Sequence, residues 1–184
     1  MMINSIAKVA GLILAVLLLF VFPNQDLYQR QDDISSMLVY KSVTNFVGAA
    51  RDIGYVTPQM YNDFFDELAM TGNSYDIQME HRQKRYDPVY LDPTDVSTFQ
   101  DDVLLNYEYH GRGDILATLF PDNTKAMDDK SRQYEMNIGD YFGVTVTNTN
   151  RTAATVMMDA LTGGISANHN IVVPYGGLVR NEDH

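Results

Sequence analysis

From Val9 to Phe22 the chain reads VAGLILAVLLLFVF, with no polar side chain in the run. A helix that is apolar on every side has no face to turn to water and suits lipid or an equally apolar protein environment. Lys8 precedes the run and Pro23-Asn24-Gln25-Asp26 ends it. A cleaved secretory signal shares the charged start and the apolar length, but it needs small residues ahead of the cut. Downstream of Phe22 the sequence is Pro-Asn-Gln-Asp-Leu-Tyr-Gln-Arg, which has no small-x-small pattern. A retained anchor is therefore expected over residues 1–22, with a cleaved signal and a buried core helix as the competing readings. Counted from Met1, a helix of this segment is ~33 Å long against a hydrocarbon core of ~30 Å. Lys8 then extends its stem toward the headgroups. Its charge and the amino terminus on the short side predict an extracytoplasmic body, residues 23–184.

The whole chain carries 24 acidic and 13 basic side chains, net −11. Lys8 is the one charge in the first 22 residues, so the body stands at −11 − 1 = −12. Such a body repels phosphate, and no nucleic-acid partner is expected. The absence of Cys removes disulfides, thiolate nucleophiles and Cys-ligated metals. With 45% of the whole chain apolar, enough remains outside the N-terminal run to build a core.

Past the anchor, Leu27, Ile34, Leu38, Val43, Phe46, Val47, Ala50 and Ile53 recur mostly at steps of three and four among polar residues, which predicts an amphipathic helix over about 27–53 with Gly54 as its stop. Pro23 is expected either to kink one long helix or to begin a new one. Thr57-Pro58 reads as cap and first turn of a second helix running through Phe64, Phe65 and Leu68 to Gly72. From Tyr75 to Arg82 the period is two, a strand with Ile77 and Met79 on its core face. Asp87-Pro88 and Asp92-Pro93-Thr94-Asp95 predict an exposed loop of ~15 residues. Further expectations are a strand over 103–109, a short helix over 114–119 capped by Asp114, and a polar surface segment over 125–132. A strand over 141–147 carries Val144 and Val146, a helix over 152–161 stops at Gly163-Gly164, and a last strand covers 170–175 ahead of Gly176-Gly177. The sum is an α+β protein: a long N-terminal helix, part transmembrane and part amphipathic, with a small antiparallel sheet and short helices packed on it. Its predicted core includes Phe46, Phe64, Phe65, Ile77, Val144 and Val146.

This arrangement resembles the pilin-like and pseudopilin-like proteins, in particular the TadE-like components of Gram-positive pilus or secretion loci. The stretches that carry the resemblance are Phe46-Val-Gly-Ala-Ala-Arg-Asp-Ile-Gly-Tyr-Val-Thr, Leu68-Ala-Met-Thr-Gly72 and Gly139-Asp-Tyr-Phe-Gly-Val-Thr-Val146. One departure is plain. Type IV prepilins carry a Gly followed by a processed residue and a Glu five positions on, whereas Gly11 here is followed by Leu12, with Val16 at the fifth position. The resemblance implies a structural subunit of a bacterial cell-surface assembly, with other subunits, copies of itself and the lipid bilayer as partners. A lone membrane-tethered binding module is the alternative.

Catalytic signatures are sparse. None of His81, His110, His169 and His184 stands in H-E-x-x-H, no Ser sits in G-x-S-x-G, and no Gly-rich phosphate loop precedes a helix. His81 falls on the apolar side of its strand, where a hydrogen-bonded core imidazole is expected. Arg112-Gly113-Asp114 spells the integrin tripeptide, but Asp114 reads first as a helix cap. Asn150-Arg151-Thr152 is a glycosylation sequon that reads first as loop-to-helix punctuation. The acidic loops around Asp92, Asp95, Asp101 and Asp102, and around Asp122, Asp128 and Asp129, lack the Asp-x-Asp-x-Asp-Gly spacing of calcium loops. No enzyme activity, cofactor or metal is expected. His81, Arg82, Lys84 and Arg85 form the one basic concentration in the body and suit edge protection or docking. In the apolar run, Ala7, Gly11 and Ala15 repeat at four-residue intervals and form a small-residue strip for helix packing.

Overall fold

The computed structural model describes residues 2–164 and 171–182, with side chains from Ser5 onward. Helix α1 (Met2–Val16), a π-helical turn (Leu17–Val21) and α2 (Phe22–Ile53) follow one another without a break. Pro23 sits in the first turn of α2 and does not end the rod. A proline has no N–H for the carbonyl four residues back, and its ring crowds that carbonyl; the wider π turn just before it accommodates both effects. Asn24 Nδ2 donates to the Phe20 carbonyl at 2.7 Å, which satisfies one of the acceptors in the widened turn. The helix stops at Gly54, whose φ of +84° suits glycine and whose N–H returns to the Ala50 carbonyl.

Along α2 the buried positions are Ser35, Val39, Ser42, Val43, Phe46, Val47, Ala50 and Arg51, a stripe of helical period. It begins later than the sequence pattern suggests, because Leu27, Ile34 and Leu38 face outward. The core of the head therefore forms on the last third of a much longer rod. After the two-residue β1 (Tyr55–Val56), helix α3 (Pro58–Ala69) starts at Thr57, whose Oγ1 accepts the Met60 N–H. It packs Tyr61, Phe64 and Leu68 inward, and Ser42 Oγ donates to Glu67 across the two helices. Phe46 stacks on Phe64 with ring centroids 4.5 Å apart and 7° between planes, and Phe142 meets Phe46 edge-on at 6.3 Å. Phe65 is a correction to the expected core: it is 51% exposed. One residue past Phe64 is a 100° rotation, which carries the ring off the face shared by positions 61, 64 and 68.

The main sheet has the order β3-β2-β5-β6, antiparallel throughout, from β2 (Tyr75–Tyr90), β3 (Phe99–Gly111), β5 (Tyr141–Asn148) and β6 (Val172–Leu178). The short β4 (Tyr134–Glu135) pairs with β1. Ile77, Met79, Phe142, Val144, Val146 and Val173 form the core face against α2. The fold is α+β as the sequence implies. Helix α4 (Arg112–Leu119) contributes Ile115 and Leu119 to the core. Its cap is Gly111 rather than Asp114; Asp114, at the third helical position, accepts the Gly111 N–H at 3.0 Å.

Three further expectations are revised. The predicted loop at Asp87-Pro88 is strand: β2 continues to Tyr90, and only Leu91 to Thr98 turn. β5 pairs with β2 only as far as Arg82, so Pro88 lies where β2 has one neighbour and a missing N–H costs the ladder nothing on the open side. Residues 125–132 are not simply polar surface, because Arg132 is buried and its guanidinium donates to the Lys125 carbonyl at 2.8 Å and to Asn123 Oδ1 at 3.1 Å. Gly176 and Gly177 lie inside β6 rather than beyond it. A Cβ on Gly176 would stand 2.4 Å from the Tyr141 hydroxyl, and one on Gly177 would stand 2.6 Å from the Arg51 guanidinium carbon, so both glycines make room for a side chain laid across the strand. Asn170, where the last strand was expected to begin, lies outside the described residues.

Candidate functional site

Two exposed features and one buried network are the places where this fold concentrates chemistry. The first is the rod itself. The continuous helix Ser5–Ile53 contains a window of mean hydropathy 2.6 with none of it buried, which makes it long and apolar enough to cross a membrane. Ala7, Gly11 and Ala15 are all exposed along it, and a Cβ on Gly11 would meet nothing within 4 Å. The strip is therefore open to another surface along its whole length.

The second feature is an arm. Between Glu80 and Tyr90, β2 pairs only with β3 once it has passed Arg82, so residues 83–108 form a two-stranded ribbon that leaves the sheet. The register places Arg82, Lys84, Tyr86 and Pro88 on one face with Tyr109, Tyr107, Leu105 and Val103 opposite them. Tyr86, Val103, Leu105, Tyr107 and Tyr109 on that face are all exposed. Near the tip, Pro88 pairs with Val103 and Tyr90 with Phe99, which leaves residues 100–102 as a bulge where Asp101 takes a φ of +57°. The sequence from Tyr86 to His110 holds six acidic residues and no Lys or Arg, while Arg82, Lys84, Arg85 and Arg112 stand at the root. Sequence reasoning missed the arm because its two strands are irregularly patterned and its proline and aspartates imitate a loop.

The buried network joins arm to core. His81, 2% exposed, places Nε2 3.0 Å from Asp140 Oδ2 and Nδ1 2.8 Å from the Tyr134 hydroxyl, and the His110 ring stacks on it at 5.5 Å. Burial pushes the His81 pKa down; the hydrogen bond and charge of Asp140 oppose this, and His110 adds to it. A neutral imidazole that donates from Nε2 to Asp140 and accepts the Tyr134 proton at Nδ1 satisfies all three groups. Tyr134 is in turn pushed up, first by burial and then by Asp114 and Asp140. Asp140 completes the joint by accepting the backbone N–H groups of Lys84 at 2.8 Å and Asn137 at 2.9 Å. His81 is thus the core imidazole expected, and its partners are structural ties between β2, β4 and the turn before β5.

The short motifs resolve locally. Arg112 Nη1 pairs with Asp76 at 3.1 Å. Asn150 Oδ1 accepts the Ser74 N–H, and Thr152 Oγ1 accepts the Thr155 N–H as the cap of α5 (Ala153–Thr162). Asp92, Asp95 and Asp129 each accept turn N–H and hydroxyl groups, which hold their pKa values down. No group of three metal-ligating side chains occurs among the described residues. His169 and His184 lie outside them. An open polar cleft of about 430 Å³ lies between Asp76, Thr147, Asn148, Thr149, Asn150, Arg151 and Thr155. Asp76 is its single carboxylate, already held by Arg112. Set against family models, curated proteins and solved structures, the chain matches none.

Proposed function

We propose that the chain is a structural subunit of a pilus-like or secretion-type cell-surface assembly, held in the membrane by its N-terminal helix with the head on the extracytoplasmic side. The observation that carries this reading is the rod: an apolar segment of which nothing is buried, continuous with a segment that serves as the spine of a folded head. A helix of this kind leaves lipid only in exchange for equally apolar neighbours, which a bundle of like helices supplies. Ala7, Gly11 and Ala15 allow close approach of two such backbones. No catalytic role is assigned, since the buried His81–Asp140–Tyr134 network is taken up by structural partners.

The test is crosslinking in the native membrane. Gly11→Ile keeps the helix apolar and insertable but fills the strip. The wild type is expected to give crosslinked oligomers and Gly11→Ile to lose them at unchanged membrane levels. Oligomers that persist in the variant contradict assembly through this helix.

The arm favours the alternative, a tethered binding module. An exposed apolar ribbon face bordered by acidic residues suits an extended, cationic partner segment added along β3. Loss of that partner on Leu105→Asp, with oligomers intact, would establish binding as the arm's separate role.

A further inference from the structure

Helix α5 runs antiparallel to α2 and descends along it toward the apolar segment. Thr152, at its start, donates to Asp32 Oδ2 at 2.6 Å, and six residues later Gln25 Nε2 reaches Met158 Sδ at 3.6 Å. With both helices rising ~1.5 Å per residue, Leu161 comes level with Phe22, the last residue of the apolar run. Val21 agrees with this placement: among residues 5–24 it alone is partly covered.

The sides of α5 differ sharply. Thr155 is buried, Met158 meets Gln25 of the rod, and Asp159, the one charged residue of the helix, is engaged by Arg151. The outward side carries Ala153, Val156, Ala160 and Leu161, all exposed and all apolar, with Met157 half-buried beside them. A surface helix in water shows the opposite pattern, polar outward and apolar inward. The arm, by contrast, leaves the sheet at the Arg82–Tyr141 end, beside the C-terminal end of α2, and points away from the apolar segment. The membrane-proximal end of the head thus presents an apolar helix at the depth where lipid would begin.

We propose that α5 is a second membrane contact, lying with its outward face in the interfacial region of the bilayer beside the point where the rod leaves lipid. The proposal rests on the anchor reading given above. Its occupant is lipid rather than protein because the face is continuous, in depth, with the end of the apolar run. Two contacts fix the tilt of the head against the membrane, which a single helix crossing at Pro23 does not.

The chain contains no Trp, so a single introduced indole reports on its own surroundings. Full-length Leu161→Trp, and separately Val156→Trp, are reconstituted in vesicles of zwitterionic and anionic phospholipid, with Leu19→Trp in the apolar run and Tyr86→Trp on the arm as references. The expected result is blue-shifted emission at positions 161 and 156, quenched by acyl chains brominated near the headgroup and shielded from acrylamide. Leu19→Trp should be quenched best by deeper bromines, and Tyr86→Trp should behave as an indole in water. If Leu19→Trp is quenched by lipid while positions 161 and 156 match Tyr86, the anchor stands and the α5 contact is wrong. If Leu19→Trp escapes lipid as well, the anchor reading fails with it. A blue shift at 161 that ignores brominated lipid and grows with protein density would assign the face to a second copy and overturn the proposal.

Discussion

The hydroxyl of Thr152 donates to Asp32 Oδ2 at 2.6 Å, a bond between residues 120 positions apart that pins the start of α5 to the middle of the rod. The same Oγ1 accepts the Thr155 N–H, so one side chain both caps α5 and docks it. Asp32→Ala is expected to cost ~1.5–3 kcal/mol, the worth of a hydrogen bond to a charged group. Thr152→Ala should cost more, because a cap worth ~1 kcal/mol goes with it. In thermal unfolding the double variant should fall short of the sum of the singles. Strict additivity would show that the two side chains do not act together.

Packing on the rod gives a second expectation. Phe46→Ala removes a ring that stacks on Phe64 and abuts Phe142, and should destabilise the head by ~3–5 kcal/mol. Phe65→Ala, on the exposed side of the same layer, should stay within ~0.5 kcal/mol of wild type. Equal melting temperatures for Phe46→Ala and the wild type would mean that α2 is a free stalk.

His81 sets the pH response of the head. Its pKa lies below the ordinary 6.5, so as pH falls through 6.5 the unfolded chain takes up a proton that the folded state resists. Stability from this residue is therefore full above 6.5 and declines on acidification below it. The carboxylates with lowered values, Asp87, Asp92, Asp95 and Asp129, act in the same direction but only nearer pH ~4. Unfolding midpoints followed from neutral to mildly acid pH should fall for the wild type and flatten for His81→Gln. A wild-type profile without slope in that window would contradict a buried neutral imidazole.

Close approach in β6 gives a fourth. Gly176→Ala places a methyl 2.4 Å from the Tyr141 hydroxyl and 2.9 Å from the Gly143 Cα. The Tyr141 ring can swing aside but the Gly143 backbone cannot, so a cost of ~1–3 kcal/mol is expected from overpacking. Tyr141→Ala in the same background should recover part of it, as read by denaturant midpoints.

The elements with a strong single period were readable in the sequence. The 3.6-residue stripe ending at Ile53, the Thr57-Pro58 start and the alternation at Ile77-Met79 and Val144-Val146 reappear as α2, α3, β2 and β5. What escaped was decided by pairing rather than by local pattern. Pro88 reads as a loop until Val103 is seen opposite it, Gly176-Gly177 read as a terminus until Tyr141 and Arg51 are laid across them, and Arg132 reads as surface until the carbonyls of Leu119, Asn123 and Lys125 are seen around its guanidinium. Phe65 failed by one helical step, a distinction that two adjacent phenylalanines cannot make by themselves. Spacing alone defines the strip Ala7-Gly11-Ala15, whose three residues are exposed on the rod.

The apolar segment is also open to direct disruption. Leu17→Arg, placed at the middle of the apolar run, should add ~2.5–3.5 kcal/mol to insertion and move the protein from the membrane to the soluble or degraded fraction. Unchanged membrane levels would mean that other parts of the chain hold it there.

Mass spectrometry of the protein extracted from membranes tests the central claim most directly. The account predicts peptides from before Pro23, because the apolar helix stays attached to the head it carries. A mature N-terminus near Gln25 would contradict it.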